Sequence, residues 1–268
     1  MILTRQPRIR GITLIMATAR SEAGLKTLLN SIKKQTIQHS RIEFILVDKA
    51  FDQRKQNYLD VMKQFNSNFA GSMKYIKDTS PKGHVSISSA RNLGVAAATN
   101  EWIVSIDDRT ILYPDTLEKQ CSYFSKGWDA VAGFSDFHHK DEFQVSEPDK
   151  VDERADVPGA GHGMFASQHF YGYHMAFTKK AWEKVGGFDE TFDGTYGWED
   201  IDFGIRIYNA GAVIRLAPEC KVLQVRDAAH HNTFDDRKVP SIIDSGHIKW
   251  LNDKRHRLTL MNRGRMRW

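Results

Sequence analysis

The feature that most constrains this chain is an alternation of two hydrophobic patterns between Arg10 and Asp108. "RGITLIMATA" is a strand rich in β-branched residues. "SEAGLKTLLNSIKKQT" follows, with Leu25, Leu28, Leu29 and Ile32 at helical spacing and Ser21 as its expected N-cap. "RIEFILVDKAFD" is a second strand ending on Asp48, and "QRKQNYLDVMKQFNSNF" a second helix. "MKYIKD" is a short third strand, "SISSARNLGVAAATN" a small-residue helix, and "EWIVSIDD" a further strand. Strands alternating with helices predict a Rossmann-like, mostly parallel sheet with helices on both faces. Ligands of such sheets bind beyond the carboxyl ends of the strands. Polar groups gather at that edge: Thr18 with Arg20, then Asp48, then Asp107 with Asp108.

Asp107 and Asp108 pose a physical problem. Adjacent like charges repel, and burying either is costly without compensation. One answer is a solvated turn after a strand, where Asp is common. The other is a divalent cation that holds an anionic substrate.

The chain has 268 residues, 41% of them hydrophobic and 26% charged, enough for a full core in one or two domains. No apolar run approaches the ~20 residues of a membrane span. The opening "MILTRQPRIRGITLIMATAR" reads as a first core strand and not as a signal peptide. The only cysteines, Cys121 and Cys220, stand far apart, which argues against a disulfide framework or structural zinc and makes a cytoplasmic location the default. A membrane-peripheral location stays open. The formal net charge is +5. From Lys249 to Trp268 there are Lys249, Lys254, Arg255, Arg257, Arg263, Arg265 and Arg267 against Asp253 alone. That tail predicts an anionic partner such as DNA, a polyanionic glycan or a membrane surface; a solvated terminal helix is the competing reading.

After Pro114 the alternation weakens. "DTLEKQCSYFSKG" is a helix and "WDAVAGFSDF" a strand, while 138–157 reads as a mobile surface loop. "KKAWEKVGGFDETF" is a short helix closed by Gly186 and Gly187. In "GGFDETFDGTYGWEDIDFGIRIYNAG" the acids Glu199, Asp200 and Asp202 open a helix that continues through Phe203, Ile205, Ile207 and Tyr208. Capping and dipole compensation account for one such acid. A base aimed into a cleft accounts for the acids together with Gly197 and Trp198.

Taken in order, "ITLIMATARSE", "FILVD", "ARNLGVAAATNEWIVSIDD", "MAFTKKAWEKVGGFDETF" and "GWEDIDFGIRIYNAG" resemble glycosyltransferase family 2, over about Ile12 to His231. The resemblance implies a GT-A fold, in the nucleotide-diphospho-sugar transferase superfamily. It implies a domain over 1–235, with a nucleotide-binding part over about 1–112 and an acceptor part over about 113–235, followed by the basic tail 236–268. It also implies roles. Ala17, Thr18, Arg20 and Asp48 would hold the nucleoside, and Arg91 would face the nucleotide or diphosphate. Asp107 and Asp108 correspond to the family's DXD motif, which here reads Asp-Asp-Arg. Asp107 would lie near the ribose and Asp108 would ligate Mn²⁺ or Mg²⁺, with His231 or else His230 completing the metal site. Asp200 would be the general base and Glu199 would position hydroxyls. Gly194, Gly197 and Trp198 would shape the sugar pocket, and Tyr173 and His174 would line the acceptor side.

The expected reaction is inverting, metal-dependent transfer from a nucleotide-diphosphate sugar, foremost a UDP-sugar, to a hydroxyl acceptor. The acceptor classes are a glycan, a lipid-linked glycan, or a hydroxylated base in DNA. Two readings compete: a nucleotidyltransferase on a similar fold, and a nucleic-acid-binding protein without catalysis. The carboxylates at the cleft disfavour the second, because they repel phosphates.

Overall fold

The computed structural model of the chain describes residues 11–20, 24–80, 86–138, 148, 151–152, 154, 161–194 and 197–225. Its strands are β1 (Ile12–Thr18), β2 (Ile42–Asp48), β3 (Ser72–Lys77), β4 (Trp102–Ile106), β5 (Thr110–Leu112), β6 (Ala130–His138), β7 (His174–Thr178) and β8 (Ile214–Val225). Its helices are α1 (Leu25–Lys33), α2 (Phe51–Asn66), α3 (Ile87–Ala97), α4 (Thr116–Ser125), α5 (Met164–Gln168), α6 (Lys179–Lys184) and α7 (Glu199–Asn209). All the strands join one sheet in the order β3-β2-β1-β4-β7-β6-β8-β5. Only β7 and β5 run against the others. The mostly parallel sheet expected from the alternation is therefore present.

Side chains alternate across each strand, so one strand feeds two cores. Leu14 and Met16 of β1, with Phe44 and Leu46 of β2, pack against α1, α2 and α4. Ile15 and Ala17, with Ile45 and Val47, pack against α3, α5, α6 and α7. Small residues let α3 lie close on the sheet. A Cβ on Gly94 would fall 2.6 Å from Ile15 Cγ2.

Register carries the functional edge. Thr18 pairs with Asp48, and Met16 pairs with Ile106, so the ends of β1, β2 and β4 lie side by side. β7 runs antiparallel to β4 with Ile106 opposite His174. The chain entering β7 therefore arrives at the same edge as the chain leaving β4.

Two expectations need correction, and one strand is new. The cap of α1 is Gly24, with no side-chain hydrogen bond; Ser21 lies outside the described residues. The stretch after Asp108 turns at once into β5, whose short run Thr110–Leu112 pairs with β8 and was hidden by its length. Most of 138–157 lies outside the described residues, but Asp152 and Arg154 within it are buried and not a surface loop. The expected stop after α6 is present: Gly186 and Gly187 both adopt positive φ. Cys121 and Cys220 are free and buried.

Candidate active site

Three clusters line the carboxyl edge. The first ties β1 to β4. Thr18 Oγ1 donates to Asp108 Oδ2 at 2.7 Å, and Arg20 Nε donates to Asp108 Oδ1 at 3.1 Å. Asp108 is 8% exposed, and its burial pushes its carboxyl above the ordinary range against the pull of Arg20 and Thr18. Both of its oxygens are thus engaged by protein. Asp107 stands in front with its side chain 41% exposed. It takes Gln224 Nε2 at 3.3 Å from β8 and lies 3.6 Å from Arg91 Nη2. The sequence pair therefore resolves into one open and one anchoring carboxylate.

The second cluster surrounds Asp48, which is fully buried. Arg54 grips it with two bonds, Nε to Oδ2 at 2.8 Å and Nη2 to Oδ1 at 2.6 Å. Tyr75 Oη donates to Oδ2 at 2.7 Å and the Ala50 amide to Oδ1 at 2.8 Å. The fork, the Tyr75 hydroxyl and the Ala50 amide together bring four donors to a carboxylate with about four acceptor sites. The Arg54 guanidinium also bonds the Arg20 carbonyl, linking this cluster to the first. Asp48 thus shapes the wall beside Ala17, Thr18 and Arg20. Burial and the Asp48 charge both push the Tyr75 hydroxyl pKa upward.

The third cluster joins α3, α7 and the turn before β7. Arg91 Nη1 donates to Glu199 Oε1 at 2.8 Å, and Nη2 donates to the Gly172 carbonyl at 3.4 Å. Arg91 is only 2% exposed, enclosed by Glu199, the Gly172 carbonyl and Asp107. Glu199 is likewise buried against it. Asp200 is the partly exposed acid of the pair. The Gly172 amide donates to Asp200 Oδ2 at 2.6 Å, and the Ile201 amide to Oδ1 at 2.7 Å. Burial first, and then the neighbouring Glu199 charge, push Asp200 up to about 7, with Arg91 and the two amides pulling the other way.

The entry to α7 is strained. Trp198, its N-cap, has φ +77°, the only positive φ outside glycine among the described residues. A bulky residue there costs on the order of 1–3 kcal/mol and persists only where the surroundings enforce it. Gly197, with φ +88°, leads into it. Gly194 also has positive φ. The strain fixes the point at which α7 starts, and so where Glu199 and Asp200 emerge.

His174 departs from expectation. It is fully buried in β7, with Nδ1 3.2 Å from the Phe134 carbonyl and Nε2 3.0 Å from Gln120 Nε2. The carbonyl can only accept, so Nδ1 carries the proton and Nε2 accepts from Gln120. Burial holds its pKa down at about 4. It is a core residue and not part of the acceptor side. Tyr173 remains half-buried at the turn.

Sequence reasoning missed Gly172, Gln224, Arg54 and Tyr75. Gly172 left one trace, the Tyr-Gly-Tyr run; the other three left none. His230, His231 and the basic tail lie outside the described residues.

Among the described residues no group of three or more His, Cys, Asp or Glu side chains could hold a metal ion. A cation that arrives on a diphosphate asks less, since one or two protein carboxylates suffice beside the phosphates. Asp107 fits that need. No helix of the described residues is long and apolar enough to cross a membrane.

Comparison with known proteins bears on the family and the fold. The family described as Glycosyl transferase family 2 matches residues 13–209. No curated protein matches. Among solved structures, S. aureus TarS 1-349 in complex with UDP superposes with a TM-score of 0.61 at 14% identity, covering 80% of this chain and 60% of that one. The mannosyltransferase PcManGT from Pyrobaculum calidifontis, in complex with GDP-Man and Mn²⁺, gives 0.58 at 19% identity, covering 81% of this chain and 57% of that one. This chain therefore spans less than two thirds of either neighbour. Identities this low speak for the GT-A fold alone. The family match does more, because it runs from the first strand through the whole of α7: the chain belongs to glycosyltransferase family 2.

Proposed function

We propose that the chain transfers a sugar from a nucleotide-diphosphate sugar, foremost a UDP-sugar, to a hydroxyl acceptor by single displacement with inversion. The observation that carries this reading is Asp200. Its carboxyl is partly open, fixed by the Gly172 and Ile201 amides, and raised to about 7. A general base works best when its pKa lies near the operating pH. The acceptor oxygen bonds to the anomeric carbon, its proton passes to Asp200, and the bond to the diphosphate oxygen breaks with the electron pair leaving on the diphosphate. Glu199 holds Arg91 in place and keeps Asp200 basic. Arg91 in turn orients Asp107.

Asp107, with His231 or His230 as further candidates, would hold Mn²⁺ or Mg²⁺ on the donor diphosphate. Bound there, the cation supplies Lewis-acid stabilisation of the departing charge. Thr18, Arg20 and Ala17 form the nucleoside wall, backed by Asp48, and Asp108 anchors that wall. Trp198 and the glycines before it shape the sugar pocket. The basic tail supports an anionic acceptor, DNA or a polyanionic glycan, whose affinity would fall steeply with salt.

The decisive experiment is Asp200→Asn, assayed for nucleotide-sugar binding and for transfer separately. Retained binding with transfer lost bears the reading out. Unchanged transfer removes Asp200 from the reaction. Product that is a nucleotide sugar formed from a sugar phosphate and a nucleoside triphosphate would favour the nucleotidyltransferase reading.

A further inference from the structure

Beyond the carboxylates stands a second arginine that the reaction as derived does not use. Arg154 is 3% exposed and every part of its fork is committed. Nε donates to Asp152 Oδ1 at 2.9 Å and Nη2 to Asp152 Oδ2 at 2.5 Å. Nη2 also donates to the Gly133 carbonyl of β6 at 2.8 Å, and Nη1 to the His169 carbonyl at 2.8 Å. Its guanidinium lies 4.6 Å from the ring centre of Phe134, 4.8 Å from Tyr171 and 5.4 Å from Tyr173. Asp152 is itself seated by the Ser135 amide at 2.8 Å. Burying an ion pair this fully is expensive, and apolar packing would serve stability as well. What only an arginine offers is several donors in one plane together with a face for aromatic rings.

Those contacts converge on one object. His169, Tyr171 and Tyr173 flank Gly172, whose amide holds Asp200 and whose carbonyl receives Arg91. We propose that Arg154, seated by Asp152, is a positioning residue that fixes the Tyr171–Tyr173 turn, so that the Gly172 amide sets the Asp200 carboxylate for proton transfer. This rests on the assignment of Asp200 as the base. The charged and titratable groups facing Asp200 are Arg91 from α3, Glu199 from α7 and Tyr173 from the turn itself. Of the turn's contacts, the Gly172 amide is the one that favours ionised Asp200. Loosening the turn weakens that bond and makes the carboxyl harder to ionise.

The test uses Arg154→Lys, which keeps a charge opposite Asp152 but loses the fork, and Asp152→Asn, which keeps the shape and loses the charge. Each is read for nucleotide-sugar affinity, turnover, and the Asp200 titration by carbon NMR of labelled aspartate, assigned with Asp200→Asn. The expected result in at least one folded variant is unchanged donor affinity. Turnover should be lower by about 10- to 100-fold, the scale of a misplacement near 1 Å. The Asp200 midpoint and the acid limb of the rate profile should move together to higher pH. An unmoved titration with normal turnover overturns the proposal. So does loss of donor affinity in step with turnover and melting temperature, which is what a purely scaffolding pair gives. If Asp200→Asn itself transfers sugar normally, the base assignment has failed. The NMR midpoint then still reports whether Arg154 holds the turn.

Discussion

The backbone amide of Gly172 donates to Asp200 Oδ2 at 2.6 Å, while the carbonyl of the same residue receives Arg91. A Cβ at this position would fall 2.3 Å from Arg91 Nη2 and 3.2 Å from Asp200 Oδ2. Gly172→Ala must therefore push the guanidinium away or open the turn. The expected cost is about 1–3 kcal/mol of stability, the range for overpacking, and about a 100-fold loss of turnover. Thermal melting and steady-state kinetics on the variant check both.

Asp200→Asn keeps the shape and removes the base. Turnover should fall by about two to four orders of magnitude with donor binding retained. In the wild type the rate should rise with pH through about 7 and level off above it. Stability follows the opposite sense. A carboxyl raised in the folded state binds its proton more tightly there, so this contribution is full below the unfolded pKa and is lost as pH rises through about 7. Asp200→Asn should thus gain melting temperature relative to wild type above pH 7 and show the least gain in acid. Paired melts across pH decide the point.

The two adjacent aspartates should separate by phenotype. Asp107 is half open, so Asp107→Ala should leave stability within about 0.5 kcal/mol and abolish transfer. Asp108 is buried under Thr18 and Arg20, so Asp108→Ala should lower stability by about 1–3 kcal/mol and loosen nucleotide binding. Denaturant melts and nucleotide titrations of both variants provide the comparison, and transfer insensitive to EDTA would remove the cation from the scheme.

Arg54→Ala leaves Asp48 buried without its counter-ion. The expected loss is about 3–5 kcal/mol. Tyr75→Phe removes one neutral donor to a charged acceptor and should cost about 1.5–3 kcal/mol. If instead both variants are stable and only nucleotide affinity drops, Asp48 reads the nucleoside directly.

His174 supplies an acid-side signal. It is neutral in the fold with a pKa near 4, below its unfolded value. Its contribution is present above the unfolded pKa and is lost as pH falls through the folded one. Between about pH 6.5 and 4 wild-type stability should therefore decline more steeply than that of His174→Gln, as read by urea unfolding across that window.

The sequence by itself determined the parallel strands β1 to β4 and gathered candidate residues at their carboxyl ends. Period-2 apolar runs and helical spacing are local properties, and β1 to β4 with α1 to α3 follow from them. Strand-end acids and the acidic start of α7 follow too, because the chain states them in order. What each carboxylate touches was decided only by tertiary structure. Asp107 and Asp108 are neighbours in sequence, yet the turn after β4 leaves one open and packs the other beneath Thr18 and Arg20. Asp48 is a bare strand-end acid in the sequence; Arg54, carried on α2, and Tyr75 from β3 close on it only in the fold. His174 looks like an acceptor-side group until β6 and α4 bury it. Charge and hydrogen-bond satisfaction depend on neighbours that lie far away in sequence, from Arg91 to Glu199 and from Arg20 to Asp108, and pattern along the chain carries no record of them.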